Sequence, residues 1–329
     1  MLTKRKIYYT LHSGKNSKPV YYVKAYLRKF IPAVCFRMQR ERLLRQIDYR
    51  ADKEEILARA EYYCKPKPGK PFDHEVWDRE AVAVKDQPKT NQMVYYHDGM
   101  EYARYFDPSL RWILDGGDKP YVSPVPAIVK NRPLVEDNGF SVLLNMDKVR
   151  HFLFVRDKKA WHDKKNMVIF RGDLGSRKEN RDVFMARWMG HPLVDAAATN
   201  CPENHPEWQK EKLTIGEHLD YKFIMSLEGN DVASNLKWIM SSNSIAVTPR
   251  LTQETWFMEG TLIPNYHYIE VKDDFSDLEE RLNYYIGHPE EAEAIIRHAH
   301  EYVAKFLDKK REKLISLLVM KRYFEITNP

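Results

Sequence analysis

Cysteine is scarce: Cys35, Cys64 and Cys201 are the three in 329 residues, an odd count in no paired motif. That usage argues against a disulfide scaffold and fits a reducing cytosol. No apolar run approaches the roughly 20 residues needed to span a bilayer. The opening MLTKRKIYYTLHSGK carries no apolar stretch of the signal-peptide kind, so a cytoplasmic protein is expected. Neither G-x-G-x-x-G nor G-x-x-x-x-G-K-[ST] occurs, which argues against simple dinucleotide or P-loop chemistry. No Cys/His cluster has zinc spacing. There is no Asp-x-Asp, the usual carboxylate pair for a metal–diphosphate complex, so no metal site is expected. A diphosphate would have to be met by cations and backbone amides.

What is present fits a soluble globular protein, with 43% apolar and 30% charged residues, and the length predicts two domains. The net charge of +6 hides an asymmetry: residues 1–50 hold 13 Lys/Arg against Glu41 and Asp48, a net of +11. Residues 20–47 alternate apolar and basic groups at helical spacing, interrupted by Pro32, and 52–63 read as another helix. Two readings stand. Either these helices pack on the domain while Lys and Arg stems snorkel to water, or they form a surface for an anionic membrane or a phosphorylated acceptor. No nucleic-acid motif accompanies the charge, so nucleic acid is not an expected partner.

From Asn166 the pattern sharpens. Met167–Phe170 is a short apolar run with β-branched members, the mark of a buried strand. Arg171-Gly172 breaks it, and a loop holding Arg171, Arg177, Lys178 and Arg181 leads into a helix that opens at Asn180-Arg181-Asp182 and ends at Gly190. This is an anion site if the helix end and cations converge, and a solvated basic loop if they do not. Strands follow at Leu193–Ala196, Phe223–Leu227, Ser244–Val247 and His267–Val271, separated by helices over 215–221, 231–242 and 277–286. Ser276 and Glu279 read as a capping box for the last of these. Gln253–Met258 reads as a helical turn. The alternation predicts a parallel sheet wrapped by helices, with ligands at the strand C-terminal ends. Upstream, Trp112-Ile113-Leu114 runs into Asp115-Gly116-Gly117-Asp118-Lys119-Pro120, which either delivers a carboxylate to a sheet rim or makes an ordinary turn. Pro126–Val129, Phe140–Asn145 and His151–Val155 read as further strands, and 156–165 as an interdomain connection.

FRGDLGSRKENRD, LVDA, SLEGNDVASNLKW and LIPNYHYIEVKDDFSDLEE, in this order and spacing, resemble glycosyltransferase family 90. That family includes bacterial lipopolysaccharide-modifying transferases, fungal capsule proteins and protein O-glucosyltransferases, and the bacterial branch is the nearest. The resemblance covers roughly residues 90–305. It implies an α/β fold of GT-B type, two Rossmann-like domains facing across a cleft, and an inverting, metal-independent transfer from a nucleotide sugar. A uridine diphosphate sugar is the expected donor. A hydroxyl of a glycan or lipid-linked glycan, such as lipopolysaccharide core, is the expected acceptor. The implied partition is an acceptor-side domain over 1–160, with a basic helical segment over 1–65, and a nucleotide-sugar domain over 161–305. A helix over 306–329 would pack back on the first domain.

The resemblance also assigns roles. Asp118 aligns with the family's catalytic Asp, with Gly117 where relatives have Arg. Arg171, Gly172, Arg177, Arg181 and Asp182 fall on the nucleotide side. The turn and helix for the diphosphate are Gly229, Asn230, Val232, Ala233, Ser234, Asn235 and Lys237. Glu259 stands where a ribose-binding carboxylate is often placed, and Asp147 and Lys148 fall on the acceptor side. Asp195 is expected to orient the basic loop, and His267 to be a structural histidine. The competing reading is a basic protein that docks residues 1–50 on a membrane or polyanion and performs no catalysis.

Overall fold

The computed structural model describes residues 4–89, 92–174, 179–200 and 204–329. It divides into two compact units. The first comprises Met1–Asn16, Arg150–Leu251 and Thr261–Lys305, and the second Ser17–Val149, Thr252–Gly260 and Phe306–Pro329. Two stretches thus sit outside a linear partition: the first sixteen residues cluster with the first unit, and 252–260 with the second.

The first unit is built on five strands: β1 (Lys165–Gly172), β2 (Val194–Ala198), β3 (Tyr221–Met225), β4 (Ile245–Thr248) and β5 (Ile269–Glu270). Their order across the sheet is β5-β4-β3-β1-β2, and every pair is parallel. A parallel sheet is covered on both faces, which is why β1 and β3 read as continuous apolar runs. Val168, Ile169, Phe170, Phe223 and Ile224 are all buried. Helix α1 (Glu179–Trp188) joins β1 to β2 and lays Phe184 edge-on between Phe170 and Phe275, at 5.3 Å from each ring. After β1 the chain builds β2 on one side, then crosses to place β3 on the other. The crevice beyond the C-terminal ends of β1 and β3 is the switch point of the sheet, where ligands bind in folds of this kind.

The second unit holds a three-stranded parallel sheet of Leu114–Asp115, Ala127–Val129 and Ser141–Leu143. The helices Lys53–Tyr63 and Lys309–Thr327 are joined by a buried ion pair, Arg59 to Glu312 at 2.6 Å. Glu312 also accepts from the Trp256 indole at 2.6 Å. Arg132 and Glu254, 2.7 Å apart, are buried too.

Several expected elements change form. The helix expected over 231–242 shrinks to α2, Leu236–Met240. The Gly229 amide donates to the Asp231 carbonyl at 2.9 Å, and that tight turn cannot continue as a helix. Gln253–Thr255 is a strand, antiparallel to Asn131–Pro133, because its partner lies far upstream in the sequence. The Ser276–Glu279 capping box does not form: the helix starts at Leu278 with Asp277 as its N-cap and no side-chain cap bond. Residues 148–151 make a short helix, and 152–155 no regular structure. Among the described residues no helix is long and apolar enough to cross a membrane.

Candidate functional site

A cavity of 350 Å³ opens at the switch point of the first unit, within the range of small-molecule sites. Its wall includes Phe170–Asp173 from the end of β1, Arg181 from α1, Leu227 after β3, and Ala233–Asn235 before α2. The local backbone is close-packed. A Cβ on Gly172 would lie 2.4 Å from Cζ of Phe170, so only glycine lets β1 end there over that ring. A Cβ on Gly229 would lie 3.0 Å from the Arg181 guanidinium.

The two arginines expected to hold an anion are largely engaged with the protein. Arg181 donates to the carbonyls of Asp173 (2.9 Å), Leu227 (2.9 Å) and Glu228 (3.3 Å). It staples the loop after β1 to the loop after β3. Burial pushes its pKa down, against the pull of Asp173, Asp182 and Asp231. Arg171 donates to the Phe170 and Asp195 carbonyls, both at 2.8 Å, and to the Asp195 carboxylate at 2.7 Å. Burial raises the Asp195 pKa, but the Tyr221 hydroxyl at 2.6 Å and Arg171 outweigh it and leave the group below its usual value. Asp195 therefore orients Arg171. Among the described residues the Arg171 Nε is buried without a hydrogen-bond partner. An orphaned buried donor costs about 1–3 kcal/mol, so it favours an acceptor atom arriving from a ligand.

The free cations of the cavity come from places the motif reading did not reach. Lys15 and Lys212 line it, both exposed, and among the described residues neither ammonium makes an ion pair. Lys15 lies 5.7 Å from the centroid of the Tyr9 ring, which also lines the cavity. Both belong to an N-terminal strap whose helix spans Lys4–His12. Arg5 fastens it, donating to both Glu217 oxygens at 2.7 and 2.9 Å and to the Lys212 carbonyl at 2.7 Å. Gly14, at φ +76°, brings the strap against Ile215, whose amide donates to the Ser13 carbonyl at 3.1 Å. The basic character of residues 1–50 points to an anionic partner, but no local pattern locates a contact 200 residues away. His218 and Trp238 also line the wall. The His218 Nδ1 lies 2.8 Å from the Thr214 carbonyl, which can only accept, so that nitrogen carries the proton. Burial lowers the His218 pKa and keeps the ring neutral.

The strap is pH-sensitive in a defined direction. Hydrogen bonding from Arg5 is the largest influence holding the Glu217 carboxyl down to about 2, against an unperturbed 4.5. With the folded value below the unfolded one, the stabilisation is complete above about pH 4.5 and disappears as pH falls towards 2. Melting temperatures of wild type and Arg5→Gln should differ near neutrality and converge through that window. A gap that stays constant in acid would refute the coupling.

The other expected residues lie elsewhere. Asn230 and Asp182 are exposed and Val232 is buried; the cavity wall includes none of them. Asn235 is committed to the fold, accepting from Ser226 and donating to the Met225 carbonyl, both at 3.1 Å. Lys237 is fully buried and does not line the cavity. Arg177 lies outside the described residues. Glu259 belongs to the second unit, where it is buried and accepts from the Thr255 amide at 2.6 Å and hydroxyl at 2.9 Å. Among the described residues no group of three or more His, Cys, Asp or Glu is placed to hold a metal ion.

In the second unit Asp118 stands beyond the C-terminal edge of the parallel sheet. Gly116 and Gly117 make the turn that puts it there: a Cβ on Gly116 would lie 2.8 Å from Tyr95, and Gly117 has φ +109°. The Asn131 carboxamide clamps the following residue, accepting from the Lys119 amide at 3.1 Å and donating to its carbonyl at 2.8 Å. Lys130, at the end of the next strand and 1% exposed at its side chain, sets its ammonium 2.5 Å from the Asp118 carboxylate. A neighbouring cation favours the ionised form, the state a general base needs. Asp147 is buried with φ +53°. Lys148 is absorbed in an ion cluster, 2.8 Å from Glu101 and 3.4 Å from Asp98. Burial works against its charge, but Tyr102, Asp98 and Glu101 raise its pKa overall.

Comparison with known proteins adds an independent line. The family model described as Glycosyl transferase family 90 matches residues 144–326. O-glucosyltransferase LpsA of Dichelobacter nodosus is 38% identical over 249 residues, which cover 76% of this chain and 78% of the relative. Protein O-glucosyltransferase 1 of Rattus norvegicus is 24% identical over 45% of this chain and 38% of the relative. Protein O-glucosyltransferase 2 of Danio rerio is 27% identical over 41% of this chain and 28% of the relative. The chain thus spans most of the bacterial relative and well under half of the animal ones.

Proposed function

This chain belongs to glycosyl transferase family 90, and from that premise we propose that it moves a sugar from a uridine diphosphate sugar to a hydroxyl of a glycan acceptor, with inversion and without a metal ion. The observation that carries the donor half is the cavity at the switch point, where, among the described residues, Lys15 and Lys212 offer ammonium groups without an ion pair and Arg171 a buried Nε–H without an acceptor. Together these give two positive charges and a fixed donor, a set matched to a diphosphate. The leaving nucleoside diphosphate gains negative charge as the glycosidic bond breaks, so donors fixed in advance at that spot lower the barrier. Arg181 serves by holding the cavity's shape, and Gly172 by letting β1 end against Phe170.

Asp118 is the proposed general base. Its carboxylate takes the proton from the acceptor hydroxyl as the oxygen attacks the anomeric carbon from the face opposite the nucleotide, which leaves as the diphosphate. The two-domain GT-B type is part of the proposal, with the first unit holding the donor and the second supplying the base. The name of the Dichelobacter relative makes glucose the first sugar to test. A lipopolysaccharide core or another surface glycan, met on the cytoplasmic side, is the acceptor we propose to test first.

Calorimetric titration with uridine diphosphate glucose in excess chelator should give saturable binding. With acceptor present, the anomeric signal of the product should be inverted relative to the donor. Binding that appears only when a divalent cation is restored would overturn the metal-independent reading. Retention of configuration would overturn the single displacement.

A further inference from the structure

The helix Lys18–Lys29 is amphipathic in an unusual sense. Its inward side is anchored by polar groups: the Tyr21 hydroxyl donates to Asp98 at 2.9 Å and lies 3.2 Å from the Val94 carbonyl, and Arg28 pairs with Glu101. Its outward side carries Val20, Val23 and Leu27 at i, i+3 and i+7, one stripe of a helix surface, and Leu27 is 59% exposed. The run continues through Phe30, 83% exposed, and Ile31 at the corner before Pro32, then through Val34 and Met38, 79% exposed, on the helix Ala33–Arg45. A surface helix normally turns its apolar stripe to the core, so this ridge is an exposed apolar surface in search of a partner.

Charge identifies the partner. Lys18, Lys24, Arg37, Arg42 and Arg45 border the ridge in sequence, and among the described residues none of them makes an ion pair or side-chain hydrogen bond. Over residues 17–50 the acids are Glu41 and Asp48 alone, and each already faces a cation: Glu41 lies 3.0 Å from Arg40, and Asp48 lies 2.8 Å from Lys53. A second copy of the chain would bring the same positive charge against this one. We propose that the ridge from Val20 to Met38 inserts into an anionic lipid leaflet, with the flanking cations on its headgroups. The arrangement is that of an interfacial helix, apolar side chains at the acyl boundary and Lys/Arg at headgroup level. It stands on this surface alone and does not depend on the glycosyl transfer proposed above.

Flotation of the full chain with vesicles of phosphatidylglycerol and phosphatidylethanolamine, against phosphatidylcholine alone, tests it. The anionic vesicles should carry the protein, and added salt should weaken that binding. Val23→Gln/Leu27→Gln/Phe30→Gln should lower the partition by about tenfold or more, and Lys24→Gln/Arg37→Gln/Arg42→Gln by about fivefold per cation. Unchanged melting temperatures in both variants separate lost docking from lost folding, and donor binding measured on the same variants separates this proposal from the donor site. Phe30→Trp gives a second reading that needs no destabilised variant: its emission should shift to the blue and be quenched by brominated lipid. Equal partition of wild type and the Val23→Gln/Leu27→Gln/Phe30→Gln variant would overturn the proposal. So would a wild type that ignores vesicles but forms a dimer that the Val23→Gln/Leu27→Gln/Phe30→Gln variant loses, which would make the ridge an interface between copies.

Discussion

Asp118→Asn is expected to lower turnover by about 10²–10⁴-fold, the usual contribution of a positioned general base, with donor affinity unchanged. The carboxamide keeps the shape of the carboxylate and an oxygen for Lys130, which now lies 2.5 Å from Asp118, so the loop clamped by Asn131 should hold its place. What is lost is the ability to take a proton. Donor affinity is spared because every residue lining the proposed donor cavity belongs to the first unit, and Asp118 to the second. Turnover and calorimetry on the same preparation check both halves, and wild-type turnover in the variant would remove Asp118 from the reaction. Lys130→Met adds a reading that a merely structural role would not move. Without the ammonium the carboxyl protonates more readily, so the acid limb of the pH–rate profile should shift upward.

The parts of this molecule legible in its sequence are those written in local pattern. The run Met167–Phe170 announces β1, and Gly172 marks where the strand must stop, because burial on both faces demands the one and close approach to Phe170 the other. The alternation that follows is enough for a parallel sheet with its ligand crevice at the strand ends. What the pattern cannot carry is the destination of a polar side chain. Arg171 and Arg181 look like ligands for an anion, yet most of their donors are satisfied by Asp195 and by three carbonyls. Lys15 looks like one more cation in a basic tail, and it is the long-range bonds of Arg5 to Glu217 and Lys212 and of Ile215 to Ser13 that bring its strap to the cavity. The strand Gln253–Thr255 fails for the same reason, since its pairing with Asn131–Pro133 leaves no trace in either segment alone. The local letters around Asp118 fit a carboxylate at a sheet rim and an ordinary turn equally well, and only the resemblance to a family motif favours the first. The structure adds Lys130 and the Asn131 clamp, which a plain turn does not need.

The division of labour between Arg181 and Lys15 gives the second large effect. Arg181→Ala removes three charge-assisted bonds to the Asp173, Leu227 and Glu228 carbonyls and unties the loops after β1 and β3. Such bonds are worth about 1.5–3 kcal/mol each and are not additive, so a destabilisation of about 2–4 kcal/mol is expected, with donor binding lost because the cavity no longer holds its form. Lys15→Ala touches no such network. Its ammonium makes no ion pair among the described residues, so the melting temperature should stay at the wild-type value. Donor affinity should still fall by about 10–100-fold if the ammonium meets the diphosphate, the worth of one hydrogen bond to a charged group. Calorimetry should therefore show weakened donor binding in both variants, while thermal denaturation tells them apart, since only Arg181→Ala should melt early. An Arg181→Ala protein that melts like wild type but loses the nucleotide would mean that the guanidinium turns away from the carbonyls to bind the ligand directly. A Lys15→Ala protein with wild-type affinity would take the N-terminal strap out of the site and leave Lys212 and the Arg171 Nε to meet the diphosphate.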